Sequence, residues 1–109
     1  MKLLVAVIQD QDAKRLVNAL RNQAFQSTKL ASTGGFLKEG NTTLMIGCRD
    51  KDVSSVLNII QQHASKRTRI LSPKYPMRAQ IVPEEERPVK VETGGAIVFV
   101  LPISSFFQL

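Results

Sequence analysis

The residues best suited to chemistry lie in a polar, glycine-punctuated stretch, residues 28–43, between two strand-like segments. Its glycines allow positive φ angles and let backbone N–H groups come close to a phosphate, and its hydroxyl groups can hydrogen-bond the phosphate oxygens. Phe36 offers a flat face on which a nucleobase can stack. The hydroxyl groups belong to Thr28, Ser32 and Thr33, and the adjacent glycines are Gly34 and Gly35. The pattern favours a nucleotide cradle, although a Gly-Gly pair between strands is also typical of a plain turn.

The chain offers few groups for catalysis. Its one histidine, His63, has no cysteine or carboxylate at metal-ligand spacing, and its one cysteine, Cys48, ends an apolar strand as a small hydrophobic residue. The carboxylates of residues 84–86 are consecutive and do not converge on one atom. Neither a phosphate loop of the Gly-x-x-x-x-Gly-Lys-Ser/Thr type nor a Gly-x-Gly-x-x-Gly fingerprint is present. We therefore predict a binding protein that is not an enzyme and uses no metal and no cofactor.

Length and charge limit the classes of protein to which this chain can belong. The 109 residues predict a single domain, residues 1–109, and fifteen Lys and Arg against nine Asp and Glu give a net charge of +6, which favours an anionic partner. Outside residues 66–69 the basic side chains are scattered, as on an ordinary solvated surface. No segment has the roughly 18 apolar residues of a membrane span, and the first ten residues lack a signal-peptide cleavage site. The single cysteine fits a reducing compartment, so we expect a cytoplasmic protein with no membrane partner.

Apolar periodicity predicts six strands and two helices. The strands are expected over residues 3–8, 25–33, 42–48, 67–71, 88–92 and 96–101. The helices are expected after residues 10–12 and 50–52, whose aspartates we interpret as N-caps, with apolar stripes at Ala13, Leu16, Val17, Leu20 and Ala24 and at Val53, Val56, Leu57 and Ile60. Three prolines and three glutamates predict a long flexible loop within residues 72–92, near the fourth strand.

The order β-α-β-β-α-β is typical of an α+β, ferredoxin-like sandwich with both helices on one face of an antiparallel sheet. Because the strands are apolar on both faces, we expect another copy of the chain to cover the second face, with ligand clefts between subunits. RNA-recognition modules share this topology but stack bases on aromatic residues of their middle strands. The corresponding strands here, residues 3–8 and 43–48, carry no aromatic residue, so an RNA-binding module is the weakest of three hypotheses.

Three separated segments of the chain resemble the PII-like signal-transduction proteins that serve as cyclic di-AMP receptors. They are residues 7–12 (Val-Ile-Gln-Asp-Gln-Asp), residues 28–37 together with 40–43, and residues 94–100 (Gly-Gly-Ala-Ile-Val-Phe-Val). The resemblance spans nearly the whole chain. It implies a homotrimer with a nucleotide pocket at each subunit interface, and two loops that change conformation on binding and signal to an unidentified downstream protein.

The resemblance also implies site residues. Thr28 would contact phosphate, Asn41 would read the polar edge of adenine, and Gly47 would leave room for a close approach. The adenine would be wrapped by Gly35, Phe36 and Leu37, lined by Phe99 and held by an amide of Gln108. Each position also has an ordinary structural explanation: a loop anchor, a turn, a strand or core residue, a bulge or a frayed terminus.

Gln26 departs from the family pattern, which commonly has arginine two positions before Thr28. An amide keeps hydrogen-bonding ability but loses a fixed positive charge, and Lys29 or Lys38 are candidates to supply it. The leading hypothesis is a receptor for cyclic di-AMP. The alternative is a PII-like regulator that binds another adenine nucleotide, such as ATP, AMP or a different cyclic dinucleotide, and neither hypothesis involves a nucleic acid polymer.

Overall fold

The computed structural model describes residues 1–30, 40–71 and 89–109. Its elements follow the order strand, helix, two strands, helix, three strands, with a short 3-10 helix, Asp50–Asp52, before the second α-helix. The strands are β1 (Lys2–Gln9), β2 (Ser27–Leu30), β3 (Asn41–Cys48), β4 (Arg67–Leu71), β5 (Val89–Thr93) and β6 (Ala96–Pro102), and the helices are α1 (Asp10–Asn22) and α2 (Val53–Ala64).

Four strands form an antiparallel sheet in the order β2-β3-β1-β6, and β4 and β5 form a separate two-stranded sheet. This mixed α+β arrangement is compatible with the predicted ferredoxin-like fold, with β6 beside β1 where the fourth strand of that fold lies. The strands β2 and β3 pair directly with each other, with Thr28 opposite Met45 in an antiparallel register. Neither of the two middle strands, β1 and β3, carries an aromatic residue.

The hydrophobic core lies between one face of this sheet and the two helices. Alternate residues of β1 and β3 point to that face, as the period of a strand requires, and they pack on the inward stripes of α1 and α2. The core consists of Leu4, Ala6, Ile8, Ala13, Leu16, Leu20, Leu44, Ile46, Cys48, Val56, Ile60 and Ala64. The predicted placement of both helices on one face is therefore confirmed. Two members of the predicted stripes are not buried: Leu57 of α2 is exposed, and Ala24 is exposed beyond the end of α1, where the chain turns.

The predicted N-caps are wrong in detail. The first helix already begins at Asp10, its N-cap position is Gln9, and no side chain makes a capping hydrogen bond there. Asp10 and Asp12 lie in the first turn, where negative charge suits the positive end of the helix dipole. Asp52 does occupy the N-cap position of α2, but its carboxylate likewise makes no capping hydrogen bond. Both acidic pairs thus act through the dipole or through tertiary contacts.

The strands β4 and β5 form a two-stranded sheet that we call the ribbon. The base of the ribbon is joined to the rest of the protein by hydrogen bonds. The Gly95 N–H donates to the Ala64 carbonyl oxygen (2.7 Å), and the Gly94 N–H donates to the Gln9 side-chain oxygen (2.9 Å). Residues 89–92 of the predicted loop belong to β5, whereas its residues 72–88 lie outside the described part of the chain.

Candidate functional site

Neither of the two described helices covers the second face of the four-stranded sheet. Strand alternation and the pairing register assign to this uncovered face the side chains of Leu3, Val5, Val7, Thr28, Leu30, Thr43, Met45, Ile97, Phe99 and Leu101, with Asn41 and Gly47 on the same side. Ile97, Phe99 and Leu101 are 62%, 43% and 45% exposed. A contiguous apolar sheet face of this kind is typical of an interaction surface in a small protein.

Four of the predicted ligand contacts lie on the uncovered face: Thr28, Asn41 and Gly47, described here, and Phe99, described below. Thr28 is exposed on the edge strand β2, Asn41 begins β3 opposite Gln9, and Gly47 pairs with Leu3 near the end of β3. A Cβ atom at Gly47 would meet none of the described residues within 4 Å, so this position leaves open space beside them on the face. The structure therefore brings three predicted contacts together on neighbouring strands.

Phe99 lies on the same face but at the opposite edge of the sheet. The pairs Thr28 with Met45, Met45 with Val5 and Val5 with Phe99 place all four residues in one row across the sheet. Three strand spacings of about 4.8 Å separate Thr28 from Phe99 by about 14 Å. One adenine ring therefore cannot touch both residues within a single chain.

Two further predicted contacts, Gln26 and Gln108, lie apart from this row. Gln26 is exposed just before β2, and Gln108 is exposed in the tail that follows β6. The same tail carries Phe106 and Phe107, which are 62% and 79% exposed. Gly35, Phe36 and Leu37 lie outside the described residues.

A cleft of about 370 Å³ adjoins Thr28 at the edge of the sheet. It is lined by Val17, Arg21, Phe25, Gln26, Ser27 and Thr28, which come from the second half of α1 and from the chain that leads into β2. The positive φ of Ala24 (63°) turns the chain sharply between the two elements. The sequence analysis missed Arg21, because its proximity to Thr28 depends on where α1 ends relative to β2.

A polar cluster fixes the start of β3, where Asn41 lies. The Asp10 N–H donates to the Gly40 carbonyl oxygen (2.9 Å), and the Thr42 hydroxyl donates to Asp10 Oδ1 (2.5 Å). The neighbouring Gln9 oxygen receives the Gly94 N–H from the base of the ribbon. The position of Asn41 is thus linked through Gln9 to the ribbon.

A second polar cluster surrounds Asp12, which is only 1% exposed. Its Oδ1 atom lies 2.5 Å from Arg67 Nη2 and 3.2 Å from Arg15 Nη2, and its Oδ2 atom accepts from Arg67 Nη1 (3.3 Å). The hydrogen bond to Asp12 raises the pKa of the Arg67 guanidinium. Arg67 begins β4, and the ion pair therefore holds the ribbon against α1.

Two observations on the described side chains concern a reactive thiol and possible metal ligands. Burial raises the pKa of the Cys48 thiol, and the carboxylates of Asp52 and Asp50 act in the same direction, so the thiol is a poor nucleophile at neutral pH. Within residues 1–30, 40–71 and 89–109, no three His, Cys, Asp or Glu side chains come close enough to hold a metal ion. None of the helices in these ranges is long and apolar enough to cross a membrane.

The Thr43 side chain is only 3% exposed, and its buried hydroxyl has no hydrogen-bond partner among the described residues. We expect Thr43→Val to raise the free energy of unfolding by about 1 kcal/mol, because valine removes an unpaired polar atom and keeps the shape. The matched control is Thr42→Val at the adjacent position. It should lower the free energy of unfolding by about 1 to 2 kcal/mol, because the Thr42 hydroxyl donates a hydrogen bond to Asp10. Urea unfolding at fixed protein concentration measures both, and a destabilised Thr43→Val would mean that the hydroxyl is paired.

The comparisons with known proteins agree with this arrangement. The family model described as cyclic-di-AMP receptor matches residues 1–109. A crystal structure of a functionally unknown protein from Pediococcus pentosaceus is similar to this chain at 39% sequence identity and a TM-score of 0.78, over 99% of this chain and 96% of that one. Because the family model covers the whole sequence, the chain belongs to the cyclic-di-AMP receptor family.

Proposed function

We propose that this protein is a non-enzymatic cytoplasmic receptor that binds cyclic di-AMP between the subunits of a homotrimer. Binding rearranges its loops, and the rearranged surface acts on a downstream protein. The ligand class follows from membership of the receptor family. The number of subunits follows the resemblance to PII-like proteins, and the remainder rests on the physical arguments below.

The uncovered sheet face is the observation that carries the proposal. Cyclic di-AMP has two anionic phosphates and two flat bases, so its site needs hydrogen-bond donors, amides and apolar surface without catalytic groups. Thr28 supplies a hydroxyl, Asn41 an amide and Gly47 open space on one side of the same sheet. The surrounding apolar side chains would bury both the bases and a neighbouring subunit.

The row from Thr28 to Phe99 supports a site between subunits. The two residues lie on opposite edge strands, and in the described chain β2 pairs only with β3 and β6 only with β1. Subunits that meet side by side can bring the Thr28 edge of one chain to the Phe99 edge of the next. A ligand at that junction then contacts both residues, which a single chain cannot offer.

The link between site and ribbon supports signalling by rearrangement. Gln9 lies opposite Asn41 in the sheet and accepts the N–H of Gly94, where the ribbon returns to the body. A ligand that shifts Asn41 therefore also acts on the base of the ribbon. Such a shift biases a two-state element in the sense required of a ligand-controlled switch.

Titration calorimetry against cyclic di-AMP, AMP, ATP and cyclic di-GMP tests the ligand. We expect cyclic di-AMP to bind most tightly, with one molecule per chain, and light scattering to give the mass of a trimer. Preference for AMP or ATP would favour the alternative regulator of another adenine nucleotide. A flat heat trace for all four nucleotides at high micromolar concentration would remove the proposal.

Thr28→Val should weaken cyclic di-AMP binding by about tenfold or more, because a hydroxyl bonded to an anionic phosphate contributes about 1.5 to 3 kcal/mol. The matched control is Thr68→Val, which changes an exposed threonine of β4 in the ribbon. Calorimetry should show wild-type affinity for the control. Equal affinities for wild type and Thr28→Val would place the phosphates elsewhere.

A further inference from the structure

We infer that Arg21 is a phosphate-binding residue, and that the cleft between α1 and β2 holds one phosphate of the bound nucleotide. This inference rests on the proposed function and names the part of the site that carries the positive charge. The sequence analysis considered only Lys29 and Lys38 for that role.

The composition of the cleft suits a nucleotide phosphate. Its lining offers one guanidinium, one side-chain amide, one aromatic ring and one hydroxyl, from Arg21, Gln26, Phe25 and Ser27. Thr28 also borders the cleft, but its side chain lies on the uncovered face of the sheet. Its volume of about 370 Å³ lies within the range of about 300 to 1,000 Å³ that is usual for ligand pockets. Guanidinium groups bind phosphate oxygens in pairs, with geometry that a lysine ammonium does not reproduce.

Arg21 is the charged side chain among the residues that line the cleft. The guanidinium groups of Arg15 and Arg67 are both engaged by Asp12. Within the described ranges, by contrast, no hydrogen bond or ion pair engages the exposed side chain of Arg21. An anion in the cleft would therefore meet a positive charge that no described carboxylate neutralises.

The end of α1 does not need Arg21 for its own structure. The N–H groups of Gln23 and Phe25 both donate to the Leu20 carbonyl oxygen, and the Ala24 N–H donates to the Arg21 carbonyl oxygen. Backbone groups thus close the helix, and the charge of Arg21 adds only a screened interaction with the helix dipole. A ligand role and a structural role therefore predict different experimental results.

Calorimetry on the full-length chain separates these roles. Arg21→Gln should weaken cyclic di-AMP binding by about tenfold or more, flatten the decrease of affinity with added salt, and leave the thermal unfolding midpoint nearly unchanged. Arg49→Gln removes another exposed arginine, at the end of β3 and outside the cleft lining, and should bind as wild type. In the Arg21→Gln background, Gln26→Arg should restore most of the affinity, because residue 26 lines the same cleft.

Each outcome has a distinct meaning. Wild-type affinity and an unchanged salt dependence in Arg21→Gln would overturn the phosphate role while leaving the proposed receptor function intact. A lower unfolding midpoint with unchanged affinity would assign Arg21 to the helix end and would overturn the inference as well. Absence of cyclic di-AMP binding by the wild-type protein would overturn both the inference and the function on which it rests.

Discussion

Val5→Glu is expected to dissociate the assembly and to weaken cyclic di-AMP binding by more than a hundredfold. Val5 lies at the centre of the uncovered face, on the middle strand β1, with Met45 and Phe99 on either side. A carboxylate there would have to be buried without a partner when a second subunit covers the face, which costs several kcal/mol per subunit. Light scattering should report a monomer, and calorimetry should report no saturable heat at concentrations that saturate the wild type.

The control for this variant introduces the same negative charge on the helix layer of the fold. Asn58→Glu changes an exposed residue of α2 and should leave both mass and affinity at wild-type values. Circular dichroism checks that the Val5→Glu monomer keeps its helices. A trimer that survives the glutamate at position 5 would show that subunits meet through another surface.

Gly94→Ala is expected to lower the free energy of unfolding by about 2 to 5 kcal/mol and to detach the base of the ribbon. The φ angle of Gly94 is +82°, and a Cβ atom there would lie 2.5 Å from the Ser65 carbonyl oxygen and 2.6 Å from Arg67 Nη1. The backbone oxygen cannot move aside cheaply, so the chain must shift and the hydrogen bond from Gly94 to Gln9 must lengthen. Hydrogen exchange should show faster exchange in β4 and β5.

Gly40→Ala separates backbone strain from the steric clash. Gly40 has a similar φ of +90°, but a Cβ atom there would meet no atom of the described residues within 4 Å. We therefore expect only the cost of the left-handed backbone, about 1 to 2 kcal/mol, and unchanged exchange in the ribbon. Equal destabilisation of the two variants in urea would contradict the close packing at Gly94.

Local patterns were enough to predict the layers of the fold. The spacing of Leu16 and Leu20 on α1 and the apolar run of β1 identify their buried sides, because both follow from the period of one element. The same reasoning could not choose the partner of Asp12. Its carboxylate is bound by Arg67, which lies 55 residues further along the chain. From the sequence alone, the basic segment that contains Arg67 is typical of solvated surface. Only the tertiary arrangement brings the two together.

The family resemblance names candidate site residues, but it does not give their geometry. Thr28 and Phe99 follow from the family resemblance, yet only the register shows that they occupy one row on opposite edges of the sheet. Arg21 has no sequence signal that points to Thr28, because six intervening residues contain the end of α1 and the turn at Ala24. Such proximity depends on the direction of the chain after the helix.

The attachment of the ribbon bears on how this protein can diversify. Gly94 and Gly95 are held to Gln9 and to the end of α2, so β6 enters the main sheet in a register set at that anchor. Insertions or deletions between residues 71 and 89 consequently leave the pairing of β6 with β1 unaltered. The ribbon can therefore vary in length and sequence while the main sheet, which carries the proposed ligand contacts, evolves under separate constraints.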